Sequence, residues 1–121
     1  MSIKILRIAT RKSRLALWQA EFIKSRLELV DPGVAVELVG MTTRGDQWLS
    51  SPLSEIGGKG LFIKELEAAI SEGRADIAVH SMKDVPAELP TGFVLPVIGL
   101  RDELRDVLVR ARAAAVADLP I

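Results

Sequence analysis

Ile3-Lys4-Ile5-Leu6-Arg7-Ile8-Ala9 is short, rich in β-branched residues and ends at polar Thr10, which predicts a strand entering a core. From Ser13 the apolar residues Ala16, Ala20, Ile23, Leu27 and Val30 recur at spacings of four, three, four and three. That is the period of one buried helix face, with Ser13 placed as its N-cap and Asp31-Pro32-Gly33 as its stop. Val34-Ala35-Val36-Glu37-Leu38-Val39 then reads as a second strand. Strand, helix and strand in that order predict an α/β layer with parallel strands.

The rest of the chain extends the pattern. Met41 to Gly60 dissolves into Thr, Ser, Gly, Pro and charge, the length of a functional or mobile loop, and a lid is expected there. Leu61 to Glu72 resumes helical spacing through Phe62, Leu66, Ala69 and Ile70, and Gly73 stops it. Asp76 to His80 predicts a third strand, Ser81 to Asp84 a turn closed by Val85-Pro86, and Phe93 to Leu100 a fourth strand, near an edge or bend because Pro96 lies inside it. Asp102 to Asp106 is a charged link, and Val107-Leu108-Val109 reads as a strand without a visible partner.

Composition narrows the chemistry. The 121 residues carry 16 Lys and Arg against 16 Asp and Glu, one His and no Cys, with 49% hydrophobic residues, enough for one globular domain with its own core. Without Cys, disulfide frameworks, thiolate zinc sites, iron–sulfur clusters and cysteine nucleophiles are excluded for this chain. One His leaves no metal site to expect. Zero net charge argues against nucleic-acid binding. Lys4, Arg7, Arg11, Lys12 and Arg14 nevertheless precede the first acid, Glu21, so anion handling is expected near this end. These charges interrupt any secretory signal, and Phe93 to Leu100 is far shorter than the ~20 residues that span a bilayer. A soluble cytoplasmic protein is expected.

In a parallel α/β layer the active face lies at the carboxyl ends of the strands, here Thr10 to Ser13, Met41 to Asp46 and His80 to Asp84. Thr10-Arg11-Lys12-Ser13 could bind an anion through backbone N–H groups and the Arg11 fork, or be an exposed basic turn with a serine cap. Gly57-Gly58-Lys59-Gly60 lacks phosphate-loop spacing, because Leu53 stands where the first Gly belongs and Gly60 where Ser or Thr would hold magnesium. It reads as a hinge carrying the charge of Lys59, or as a plain connection. His80-Ser81-Met82-Lys83-Asp84 gathers a hydroxyl, an ammonium and a carboxylate into one turn, where Asp84 could accept from a substrate N–H or stabilise a cation. Its bland alternative is a self-neutralising Lys83–Asp84 surface pair. His80 is expected to be structural, and Trp18 and Phe22, four apart, to form a packed aromatic pair. Met41-Thr42-Thr43-Arg44-Gly45-Asp46 could supply another binding loop, or Arg44 and Asp46 pair with each other, the reading favoured here.

Taken together, Arg7 to Ser13, Leu15 to Ala20, Thr43-Arg44-Gly45-Asp46, Gly57 to Glu67 and Ala75 to Pro86 resemble one family closely, in order and spacing, from about Leu6 to Asp106. The family is hydroxymethylbilane synthase, also called porphobilinogen deaminase. The resemblance implies a three-domain enzyme whose first two domains are similar to a periplasmic binding protein. Such an enzyme joins four porphobilinogen units head to tail, with loss of ammonia, on a dipyrromethane primer held by a cysteine of the third domain. For this chain the resemblance implies a cleft domain over 1–99 with a mostly parallel sheet flanked by helices, a hinge at 100–106 and the beginning of a truncated second domain at 107–121.

Residue by residue, the resemblance makes Asp84 the catalytic carboxylate beneath the pyrrole N–H groups, stabilising the cation left when ammonia departs. Arg11, Ser13, Lys83 and Ser81 match residues that hold the primer and growing chain by their acetate and propionate groups. Arg101, Phe62 and Lys59 match residues on the substrate side, Lys59 within a loop that closes over the cleft. Arg14, Glu55 and Leu104 depart from the usual pattern. The paired arginines of the second domain, the cysteine and a returning segment of the first domain's sheet are absent from the 121 residues. The expectations are therefore a chain that does not polymerise porphobilinogen alone and that self-associates through an unfilled sheet edge. A stand-alone anion-binding module, keeping the half-cleft of Arg11, Ser13, Lys83 and Asp84 without chemistry, is the competing expectation.

Overall fold

A computed structural model describes residues 4–47 and 62–99. In chain order these form strand β1 (Lys4–Arg11), helix α1 (Arg14–Val30), strand β2 (Val34–Met41), a short helical turn α2 (Arg44–Gln47), helix α3 (Lys64–Ser71), strand β3 (Ile77–Ala78) and a 3₁₀ turn (Met82–Asp84). The sheet order is β2-β1-β3, and both pairings are parallel. β1 runs in register with β2 from Lys4↔Val34 to Arg11↔Met41, and with β3 at Ile8↔Ile77 and Ala9↔Ala78. The α/β class expected from the sequence is present.

Alternation along β1 divides the core in two. Neighbouring strand residues face opposite sides of a sheet, so Ile8 packs with Ala20 and Val36 beneath α1, joined by Ile23, Leu27, Leu38 and Ile77. Ala9 packs on the other face with Leu66, Ala69 and Ala75 beneath α3, joined by Met41, Ile70 and Ala78. The same alternation continues to the end of the strand. Thr10 is fully buried, and its hydroxyl donates to the carbonyl of Arg11 at 3.0 Å and that of Ala16 in α1 at 3.4 Å, while Arg11 falls on the α3 face.

The turns hold these layers in place. Ser13 caps α1, its Oγ accepting from the Ala16 N–H at 3.3 Å. At the other end Asp31 N–H donates to Leu27 O, Val34 N–H donates back to Asp31 O, and Gly33 O accepts from Lys4 N–H at 3.1 Å, which brings β2 beside β1. α3 ends in a Schellman motif: Gly73 adopts φ +77, its N–H donates to Ile70 O at 3.1 Å, and Arg74 N–H donates to Ala69 O at 2.8 Å. Asp76 then ties the chain to β1, its N–H donating to Arg7 O at 2.9 Å and its Oδ2 accepting from Arg7 N–H at 2.8 Å.

Several expectations change. The third strand, expected over Asp76 to His80, has only Ile77–Ala78 in the ladder, although Asp76 and Val79 N–H groups also bond to β1. The fourth strand is not formed across 93–99, and Leu100 lies outside the described residues. Pro96 lacks the N–H a ladder needs, and Val94, Val97 and Ile98 are exposed with no strand beside them among the described residues. Val30, counted on the buried face of α1, is the last residue of the helix and is 81% exposed. Trp18 and Phe22 do stack, with centroids 5.7 Å apart, but on the outer face of α1, where both are exposed. The loop expected from Met41 contains α2, and its remainder over 48–60 lies outside the described residues, as do 100–106, 107–109 and the rest of the tail.

Candidate functional site

The carboxyl ends of all three strands meet at Arg11. β1 delivers Arg11 itself, the turn after β2 delivers Asp46, and the 3₁₀ turn after β3 delivers Asp84. Arg11 Nε donates to both oxygens of Asp46, at 3.2 and 3.1 Å, and Nη2 donates to Oδ1 as well. Nη1 lies 3.9 Å from Asp84 Oδ2. Phe62, just before α3, lies against the guanidinium with its ring centroid 4.3 Å from Cζ. The three charged side chains are only 14 to 17% exposed, so their mutual attraction is weakly screened.

Asp46 is fixed before it meets Arg11. Thr43, fully buried at the start of α2, donates its hydroxyl to Asp46 Oδ2 at 2.7 Å and accepts from Asp46 N–H at 3.2 Å, a reciprocal cap of the α2 turn. Thr43 N–H adds a bond to Oδ2 at 3.3 Å. The Arg11 hydrogen bond, helped by Thr43, holds the Asp46 carboxyl below its ordinary range despite partial burial. Arg11 is held above its own already basic value, chiefly by the same bond and against burial, with smaller contributions from the charges of Asp46 and Asp84. Gly45 completes the arrangement: a Cβ there would stand 2.5 Å from the Phe62 ring, so only glycine lets the ring reach Arg11.

Of the residues expected at the site, Arg11, Asp84 and Phe62 come together. Asp84 faces Arg11 and not Lys83, which is exposed and forms no ion pair among the described residues. The expected Arg44–Asp46 pair is likewise replaced: Asp46 goes to Arg11, and the Arg44 N–H donates to Glu65 Oε1 at 3.0 Å. Ser81 exchanges hydrogen bonds with the Gln19 amide at 3.1 and 3.3 Å, bridging α1 to the turn after β3. Ser13 serves as the α1 cap. Among the described residues the His80 ring reaches the Ser81 carbonyl alone, at 3.4 Å. Lys59 and Arg101 lie outside the described residues. Sequence reasoning missed Gly45, Gln19 and the true partner of Asp46. The spacing Thr43-x-x-Asp46 carried a capping signal for the Thr43–Asp46 contact, whereas nothing local marked Gln19 or the Arg11–Asp46 bond.

Chemically, the strand ends offer a guanidinium held by Asp46, whose Nη1 makes no hydrogen bond among the described residues, with a carboxylate beside it and an aromatic ring against it. Hydroxyls of Ser13 and Ser81 and the ammonium of Lys83 stand on the surrounding turns. That donor set suits an anionic ligand bearing N–H groups. It contains no group of three or more His, Cys, Asp or Glu able to hold a metal ion among the described residues, and the chain has no thiol that could anchor a cofactor as a thioether.

The family model described as "Porphobilinogen deaminase, dipyromethane cofactor binding domain" matches residues 6–121. A curated porphobilinogen deaminase of Thiobacillus denitrificans (strain ATCC 25259 / T1) is 60% identical over 115 residues, covering 95% of this chain and 38% of that relative. The chain thus spans well under half the length of the relative it matches.

Proposed function

The chain belongs to the porphobilinogen deaminase family, and on that premise we propose that it supplies one wall of the cleft in which porphobilinogen units are condensed, with loss of ammonia, to hydroxymethylbilane. The observation that carries this reading is the meeting of Arg11, Phe62 and Asp84 at the carboxyl ends of a parallel sheet. Porphobilinogen presents an acetate, a propionate, a pyrrole N–H and an aminomethyl group. The Nη1 edge of Arg11, with Lys83 and the hydroxyls of Ser13 and Ser81, suits the carboxylates. Asp84 suits the N–H and the cationic group, and an ionised carboxylate there favours departure of ammonia by stabilising the positive charge left behind. Phe62 stacks on the planar guanidinium and shields that side of it from water. Lys59 and Arg101 belong to the same proposal, as a closing cation and a further carboxylate contact.

The residues present fit recognition of a dipyrromethane's carboxylates but not its covalent attachment, for want of a cysteine. When bound, that group supplies the free pyrrole position on which the chain grows. The division into 1–99, a hinge at 100–106 and the start of a second domain at 107–121 is part of this reading, as is a cytoplasmic location. Among the described residues no helix is long and apolar enough to cross a membrane. Self-association through an open sheet edge also belongs to it.

Porphobilinogen titrated into the 121-residue chain tests the proposal. Saturable binding, lost in Arg11→Ala and Asp84→Ala, is expected without formation of hydroxymethylbilane. Turnover by the chain alone would overturn the claim that further parts are required, and absence of binding would overturn the cleft assignment.

A further inference from the structure

Arg11 has two usable edges, and the structure treats them differently. The Nε/Nη2 edge is consumed by Asp46. Nη1 makes no hydrogen bond among the described residues and stands 3.9 Å from Asp84. Asp46 cannot follow a wandering arginine, because Thr43 holds its Oδ2 through both hydroxyl and N–H. Phe62 closes one face of the guanidinium, and Gly45 leaves the room that lets it do so. A long side chain with several freely rotating bonds is thereby reduced to one orientation before any ligand arrives.

Resting on the reading of this cleft as one that recognises carboxylates, we propose that Asp46 is a positioning residue, clamping one edge of Arg11 so that Nη1 is presented on the Asp84 side to an incoming carboxylate. The clamp acts through another residue and touches no reacting atom. It separates two consequences that a simple ion pair would not. If Asp46 merely competed with ligand for Arg11, its removal would free the fork and tighten binding. If it orients Arg11, its removal restores the freedom of the side chain and weakens binding.

The test uses the full 121-residue chain, labelled with ¹⁵N, at near-neutral pH. The Arg11 Nε–H signal, assigned by its loss in Arg11→Lys, is expected as a resolved and slowly exchanging resonance. In Asp46→Asn, with the backbone amide spectrum still dispersed, that resonance is expected to merge with those of solvent-exposed arginines. Asp46→Glu, which keeps a carboxylate at a position where capping residues include Glu, is expected to restore it in part and covers the case in which Asp46→Asn fails to fold. Porphobilinogen affinity is expected to fall roughly tenfold in Asp46→Asn, while Asp46→Asn is expected to add no further loss in an Arg11→Lys background. A retained Arg11 signal in folded Asp46→Asn, or tighter binding of porphobilinogen, would overturn the clamp. If the wild-type chain binds no porphobilinogen while the Arg11 resonance responds as described, the carboxylate reading fails and the clamp stands.

Discussion

Asp46 and Gly45 are adjacent, yet they act on the site in different currencies, charge and volume. The carboxyl of Asp46 is held below its ordinary range by Arg11 and Thr43. A carboxyl depressed in the folded state stabilises fully above its unfolded value, about 3.9, and loses that contribution as pH falls through the folded value. Arg11 is raised from an already strongly basic value, so its contribution would fade only in strong alkali. The unfolding free energy of the wild type is therefore expected to exceed that of Asp46→Asn by about 1 to 3 kcal/mol at neutral pH. The gap is expected to hold down to about pH 5 and to shrink below about pH 4. Urea melts of both proteins across that series check it, and a gap unchanged in acid would remove the carboxylate as its source. Gly45→Ala instead forces a methyl group against Phe62, with an expected cost of about 1 to 3 kcal/mol at every pH. Its Arg11–Phe62 contact should loosen as well, read from the Phe62 ring shifts.

At the level of elements, β1, α1 and β2 were legible because their periods are local: the Ser13 cap and the Asp31-Pro32-Gly33 stop are where the sequence puts them. α3 and its Gly73 terminator were legible for the same reason. The fourth strand was not, because an apolar run says only that burial is wanted, while a strand also needs a neighbour and its N–H groups, and Pro96 removes one. The site was legible in Arg11 and Asp84, which sit at strand ends, but not in the Asp46–Arg11 bond, which joins residues 35 apart in the chain. The Schellman motif after α3 gives a sharp check at this scale. Gly73→Ala must hold a side chain at φ +77 and is expected to cost roughly 1 to 2 kcal/mol without altering the Arg11 resonance, since Gly73 lies at the far end of α3 from Phe62. Ser13→Ala removes the α1 cap and is expected to cost about 1 kcal/mol, read from chemical denaturation.

For the whole molecule, the sheet order β2-β1-β3 leaves β1 bonded on both sides, while β2 and β3 each have an unpaired side among the described residues. Val94, Val97 and Ile98, in the segment after the 3₁₀ turn that forms no strand, are 79, 74 and 68% exposed. The unpaired backbone donors and acceptors of a strand edge, and an exposed β-branched segment able to add to one, together form a template for pairing between chains. α1 offers a second apolar surface through exposed Leu15, Trp18 and Phe22, but its packing would need no backbone hydrogen bonds. The two surfaces can be told apart. The sedimentation coefficient of the isolated chain is expected to rise with concentration, and Val97→Lys, which places a charge on the exposed β-branched segment, is expected to abolish that rise. Trp18→Lys, on the exposed face of α1, is expected to leave it unchanged if the sheet edge is the contact. A clean monomer at high concentration would remove the edge as an association site, and loss of association in Trp18→Lys alone would transfer the contact to α1.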